Sequence, residues 1–142
     1  MKIAFCFPGQ GSLESGMGRD IAQSSASARE VYRLGSEASG LDLERLCFDT
    51  PLEEMVETEV QQPALVATSL AILAAMRERG LEPDVVVGHS VGEFAALAAA
   101  GALQTGQEIA DQPCHLFLGS SEVGGPCPAA AATSLPHPGG GL

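Results

Sequence analysis

The sequence predicts an α/β fold in which helices connect strands of a parallel sheet. Two short apolar segments, residues 2–7 and 85–87, are rich in residues that favour strands, and the long stretch between them has helical periodicity. The pattern Gly-x-Ser-x-Gly at residues 88–92 then follows the second strand directly, and is typical of a sharp turn from strand into helix. The order strand, helices, strand, turn, helix implies a crossover between parallel strands.

The first strand is predicted at residues 2–7 because the apolar segment ends at Pro8 and Gly9, which interrupt a strand. Glycines then lie on both sides of Gln10, so that its backbone N–H can approach a ligand closely. An ordinary turn is the alternative for this loop when it is considered alone.

Two helices are predicted next. Over residues 27–39 the apolar residues Val31, Leu34 and Ala38 recur at helical spacing, and Gly40 is placed to end the helix. At residues 50–53, a threonine, a proline and a glutamate in the capping-box positions predict the start of a short helix. The acidic residues around it indicate a solvated helix face rather than a cation site: Glu53, Glu54, Glu57 and Glu59.

A third helix is expected to begin at Pro63 and to be buried, because residues 64–76 are apolar on almost every side. Arg77 and Arg79 complement the negative end of its dipole, and Gly80 supplies the stop.

The second strand and the turn after it contain the candidate nucleophile. The β-branched run at residues 85–87 predicts a strand covered on both faces. Gly88 and Gly92 allow the backbone to turn sharply and expose the hydroxyl of Ser90, which is the geometry of a nucleophile elbow. A helix over residues 91–100 would direct free N–H groups towards an oxyanion formed at the serine.

Composition excludes several classes of function. A net charge of -11 opposes binding to nucleic acid or to an anionic membrane. Four cysteines without ligand spacing predict free thiols and no metal site. The only apolar run near the start of the chain is too short for a signal-peptide core, and these features together predict a soluble, cytoplasmic protein.

The last part of the chain, residues 104–142, differs in composition from the rest. It contains five of the nine prolines and seven of the seventeen glycines, and it has no Lys or Arg. This composition predicts disorder, with only residues 114–118 as a possible element. The folded unit is therefore expected to be residues 1–103.

Three motifs in this order resemble the malonyl-CoA:acyl carrier protein transacylase family, which includes acyltransferase domains of fatty acid and polyketide synthases. They lie at residues 7–12, 58–64 and 88–93, and the likeness runs continuously over residues 1–103. The resemblance implies an α/β-hydrolase-like acyltransferase core, of which this chain holds the N-terminal portion without the inserted small subdomain.

The resemblance also implies a mechanism and its residues. Ser90 would take the acyl group from malonyl-CoA and pass it to the phosphopantetheine thiol of an acyl carrier protein, with no bound cofactor. Gln10 and Val91 match the two backbone oxyanion donors of the family. Gln62 and His89 match positions in the pocket, although a packing role is an equal alternative for both.

Two family groups have no counterpart in this sequence, namely the histidine that activates the serine and the arginine that binds the malonyl carboxylate. No arginine follows Arg79, and His115 and His137 lie in sequence unlike the family. We therefore expect impaired activity. A noncatalytic interaction protein is the main alternative. An esterase or thioesterase is less favoured, because the His-Gly-Gly oxyanion loop typical of those enzymes is absent.

Overall fold

The computed structural model describes residues 1–102. In this range a two-stranded parallel sheet packs against helices, which confirms the α/β prediction. In chain order the elements are β1 Ala4–Phe7, α1 Arg19–Ser24, α2 Ala26–Ser39, α3 Leu43–Phe48, α4 Thr58–Glu78, β2 Val85–Gly88 and α5 Gly92–Ala99, with 3-10 turns at Gln10–Ser12 and Leu52–Glu54. The expectations for residues 104–142, including His115 and His137, lie outside the described residues.

The register of the sheet brings the ends of both strands together. Phe7 of β1 pairs with Gly88 of β2, so the loop after β1 and the turn after β2 leave from the same edge. Strand β1 is shorter than predicted, because the backbone N–H of Ile3 donates to the side chain of Asp84 at 2.7 Å instead of to a ladder carbonyl. The backbone N–H groups of Ile3 and Asp84 thus both have hydrogen-bond acceptors just before the first paired residues of the sheet.

One face of the sheet is open in the described part of the chain. Val85 and Val87 are 51% and 54% exposed. Their partners in β1, Ala4 and Cys6, are exposed as well, whereas Phe7 is buried. The prediction that residues 85–87 are covered on both faces is therefore wrong for residues 1–102. The reason is that α5 packs on the Phe7 side, while nothing in this range packs on the other.

Helix α4 is the centre of the helical layer, which we define as α1 to α4, and its predicted burial is confirmed. It is long and apolar enough to meet the composition of a membrane span, but 61% of that apolar stretch is buried inside the protein, as in a core helix. On α4, Thr68 accepts a hydrogen bond at 2.8 Å from the hydroxyl of Tyr32 in α2. Burial raises the pKa of the neighbouring Cys47 thiol to about 11.

One predicted helix start is wrong, and the short helix predicted after Thr50 is a 3-10 turn that lacks the predicted cap. Helix α4 begins at Thr58, so Pro63 lies inside it, where the missing proline N–H removes only one helical hydrogen bond. The hydroxyl of Thr50 donates back to the carbonyl of Arg45 at 3.0 Å instead of capping a new helix. Residues 52–54 accordingly form a 3-10 turn without a side-chain cap.

The prediction of α2 holds with a different buried face. Ser25 accepts a hydrogen bond at 3.1 Å from the backbone N–H of Ala28 and caps the helix, and Gly40 ends it at φ +71°. Ala38, expected on the apolar face, is exposed, because the helix presents Val31 and Tyr32 to α4 and ends beyond the core.

Candidate active site

Ser90 occupies a backbone conformation that side chains rarely adopt. Its φ is +54°, and among residues 1–102 it is the one residue other than glycine with a positive φ. Such a conformation costs roughly 1–2 kcal/mol and is maintained only where the surrounding structure imposes it. Here the turn is closed on both sides: the N–H of Gly92 donates to the carbonyl of His89, and that of Glu93 donates to the carbonyl of Ser90, each at 3.0 Å.

The two glycines of the elbow are required by contacts with neighbouring backbone. A Cβ on Gly92 would lie 2.4 Å from the carbonyl oxygen of Phe7, and a Cβ on Gly88 would lie 2.5 Å from the Cα of Glu93. Both distances are well inside van der Waals contact. Gly88 therefore lets α5 fold back onto β2, and Gly92 lets α5 lie against the end of β1.

The loop after β1 lies directly against the elbow. The N–H of His89 donates to the carbonyl of Phe7 at 3.1 Å, and a Cβ on Gly9 would lie only 2.7 Å from Nδ1 of His89. The backbone N–H groups of Gln10 and Val91 donate to no protein acceptor among residues 1–102. The loop that carries Gln10 thus lies against the elbow that carries Ser90, and both of these N–H groups are free to bind a ligand in the described residues.

A chain of side-chain amides anchors Gln10 to the start of α4. Nε2 of Gln10 donates to Oε1 of Gln61 at 2.8 Å, and Oε1 of Gln10 accepts from Nε2 of Gln62 at 3.4 Å. Nε2 of Gln61 in turn donates to the carbonyl of Met55. Gln62, expected to line the pocket, is found on the side chain of Gln10.

Sequence reasoning missed Gln61 as a site residue. It directly precedes Gln62 in the second motif, and the paired glutamines next to Pro63 were the only available signal. Adjacent helical residues point about 100° apart, so a motif by itself does not reveal that both side chains reach one partner.

His89 is exposed, and it is the only histidine in residues 1–102. Its ring lies beside Gly9, which places it at the rim of the elbow. No group of three or more His, Cys, Asp or Glu in the described residues is arranged to hold a metal ion.

Comparison with known proteins gives a consistent result. Residues 4–109 match the family model of the acyl transferase domain. A malonyl CoA-acyl carrier protein transacylase of Bacillus subtilis (strain 168) is 44% identical over 102 residues, which cover 72% of this chain and 32% of that relative. The chain thus spans about a third of the length of the curated relatives it matches.

Solved structures show the same relationship. A malonyl CoA-acyl carrier protein transacylase of Clostridium perfringens superposes with a TM-score of 0.72 at 37% identity, covering 77% of this chain and 34% of that one. A type II PKS acyl-carrier protein in complex with its malonyl-transacylase gives a TM-score of 0.71 at 38% identity, covering 77% and 36%. The described fold is therefore shared with the first third of such proteins.

Proposed function

This chain belongs to the acyl transferase domain family, and on that premise we propose that Ser90 is the acyl-carrying nucleophile of malonyl transfer from coenzyme A to an acyl carrier protein. The observation that carries the proposal is the strained backbone of Ser90, at φ +54°. It is supported by the N–H groups of Gln10 and Val91, which donate to no acceptor within residues 1–102. Strain of this kind concentrates at functional sites.

In the proposed first step, Oγ of Ser90 attacks the thioester carbonyl of malonyl-CoA. The new Oγ–C bond replaces the C–S bond, and the hydroxyl proton ends on the departing coenzyme A thiol. The carbonyl oxygen is negative in the tetrahedral intermediate, and the N–H groups of Gln10 and Val91 stabilise it. In the second step the phosphopantetheine thiol of the carrier protein attacks the serine ester, and the proton returns to Ser90.

Coenzyme A and an acyl carrier protein are proposed as substrate and partner because relatives carry these names and one solved relative is bound to such a carrier. Phosphopantetheine arrives on the partner, so the reaction needs no resident cofactor. A cytoplasmic location remains part of the proposal, in keeping with the packing of α4 inside the core. Gln62 and His89 are proposed to border the acyl site from α4 and from the elbow.

The chain by itself is expected to react slowly. Removing the base from a serine nucleophile costs on the order of 10⁴ to 10⁶ in rate, because the hydroxyl is a weak nucleophile without it. The only histidine of residues 1–102, His89, lies beside Gly9 at the rim of the elbow. This observation favours a noncatalytic interaction protein as the second candidate function.

Intact-mass analysis of the full chain incubated with isotopically labelled malonyl-CoA separates the two candidates. We expect a slowly formed malonyl adduct on Ser90 that is discharged by a holo acyl carrier protein. Ser90→Ala is expected to abolish the adduct. The matched control is Ser27→Ala, an exposed serine of α2, which is expected to leave the adduct unchanged.

Absence of an adduct in a sample with a cooperative thermal transition would favour the noncatalytic function. An adduct that water removes as fast as the carrier thiol does would instead indicate an esterase or thioesterase. Both outcomes overturn the transferase proposal.

A further inference from the structure

Gln61 joins the loop after β1, which contains Gln10, to a second segment of the protein. Its Oε1 accepts from the Gln10 side chain at 2.8 Å, and its Nε2 donates to the backbone carbonyl of Met55. Met55 is 1% exposed and belongs to the segment between the 3-10 turn Leu52–Glu54 and α4. Gln61 therefore connects the long side chain of Gln10 to the backbone of a buried residue.

The carbonyl of Met55 determines the orientation of every amide in this chain. A carbonyl only accepts hydrogen bonds, so Gln61 must direct its NH₂ group to Met55 and its oxygen to Gln10. Gln10 must then direct its own NH₂ group to Gln61, which leaves its oxygen for the NH₂ group of Gln62. The three side-chain orientations therefore have a single consistent solution.

We propose that Gln61 is a positioning residue that orients the Gln10 loop, so that the backbone N–H of Gln10 points at the oxyanion formed on Ser90. The inference rests on the proposed acyl transfer at Ser90. Gln61 does not touch the reacting atoms, and acts by fixing the side chain whose own backbone donates. Gln62 supports the other end of that side chain with a longer hydrogen bond of 3.4 Å, so Gln61 at 2.8 Å is the stronger support.

A purely structural role would have a different signature. Both Gln10 and Gln61 are partly exposed, so water can replace the hydrogen bond between their side chains. In Gln10→Met, which keeps the hydrogen bond from Gln61 to the buried Met55, the thermal midpoint should therefore change little. Orientation of a donor is more sensitive, because a misplacement of about 1 Å can cost on the order of 100-fold in rate. The reaction rate and the folding stability should thus respond separately.

The test is the rate of Ser90 acylation by malonyl-CoA in Gln61→Met, which keeps the length of the side chain and removes its hydrogen bonds. We expect the maximal rate to fall about 10-fold, with the half-saturating concentration unchanged. The matched control is Gln23→Met, an exposed glutamine of α1, which should behave as the unmodified chain. Gln10→Met should lower the rate as Gln61→Met does, and the double variant should be no slower than either one.

Backbone amide exchange measured by NMR gives a second readout that does not depend on catalysis. In Gln61→Met the backbone amide of Gln10 should change its chemical shift and exchange its proton with solvent faster. The exchange rates of the backbone amides of α5 should not change. If the unmodified chain forms no adduct, the proposed acyl transfer is rejected. The exchange rate of the Gln10 amide still tests whether Gln61 orients the Gln10 loop. Additive effects in the double variant, or a Gln10 amide unaffected by Gln61→Met, would overturn the proposal.

Discussion

The helical layer and the elbow are held by different kinds of contact. In the helical layer, large side chains fill the interior, and Tyr32, Leu43 and Leu70 are each at most 2% exposed. At the elbow, backbone lies directly on backbone, because Gly88 and Gly92 leave no room for even one added carbon atom. Removing one methyl group from the layer should therefore cost only about 1 kcal/mol, whereas adding one at the elbow forces backbone segments apart.

The largest effect is expected for Gly92→Ala, which tests whether the elbow depends on backbone contact. The new Cβ would lie 2.4 Å from the carbonyl oxygen of Phe7, so α5 must move away from β1. We expect a loss of about 3 kcal/mol in the free energy of unfolding and no acylation of Ser90. Chemical denaturation and intact mass measure the two effects.

Gly40→Ala is the control for that substitution. Gly40 has a φ of +71° and open space around it, so the variant should lose only about 1 kcal/mol through strain at the end of α2. It should retain whatever reactivity Ser90 has. Equal losses in the two glycine variants would remove the distinction between the regions.

Alkaline pH is expected to weaken the helical layer. Burial raises the pKa of Cys47 from 9.0 to about 11, so between these values the unfolded thiol releases its proton and the folded thiol retains it. The unfolded state then binds fewer protons, and stability falls as pH rises, by up to about 1.4 kcal/mol per pH unit. Burial likewise raises the pKa of Tyr32, which acts in the same direction.

Denaturation curves at pH 8 to 10.5 measure this slope. Cys47→Ala should flatten the first part of the decline, because it removes the thiol and leaves Tyr32. A slope that Cys47→Ala does not alter would assign the alkaline loss to other groups.

The smallest effect is expected for Ser90→Gly. Glycine adopts a positive φ without the Cβ penalty, so the variant should gain about 1 kcal/mol in stability while losing all acylation. Ser90→Ala keeps the Cβ and should gain nothing. If both variants had equal stability, the strain assigned to Ser90 would be absent, and the elbow would differ less from the helical layer.

The sequence predicted those features that local patterns encode. The elbow, its glycines and the end of α2 at Gly40 all follow from residue types at fixed spacing. The strand order follows from the parallel crossover. Residues 10 and 90 were placed together only by the family resemblance, because contacts between distant segments leave no periodic signal.

Short and tertiary features were missed for physical reasons. Helices α1 and α3 have six residues each, too few to show a periodic apolar face, and they are stabilised by packing on α2 and α4. The capping box at Thr50 was wrong because that hydroxyl found an acceptor in the preceding helix. Gln61 was missed because its role depends on Met55, six residues earlier, lying within reach.

The exposed face of the sheet gives the protein a chemical reporter. Cys6 pairs with Val87 at the middle of that face and is an exposed thiol, whereas Cys47 is buried. A thiol-reactive dye would therefore modify Cys6 in preference to Cys47. With Cys114 and Cys127 replaced by serine, the emission of a dye at Cys6 would report when a partner covers this face.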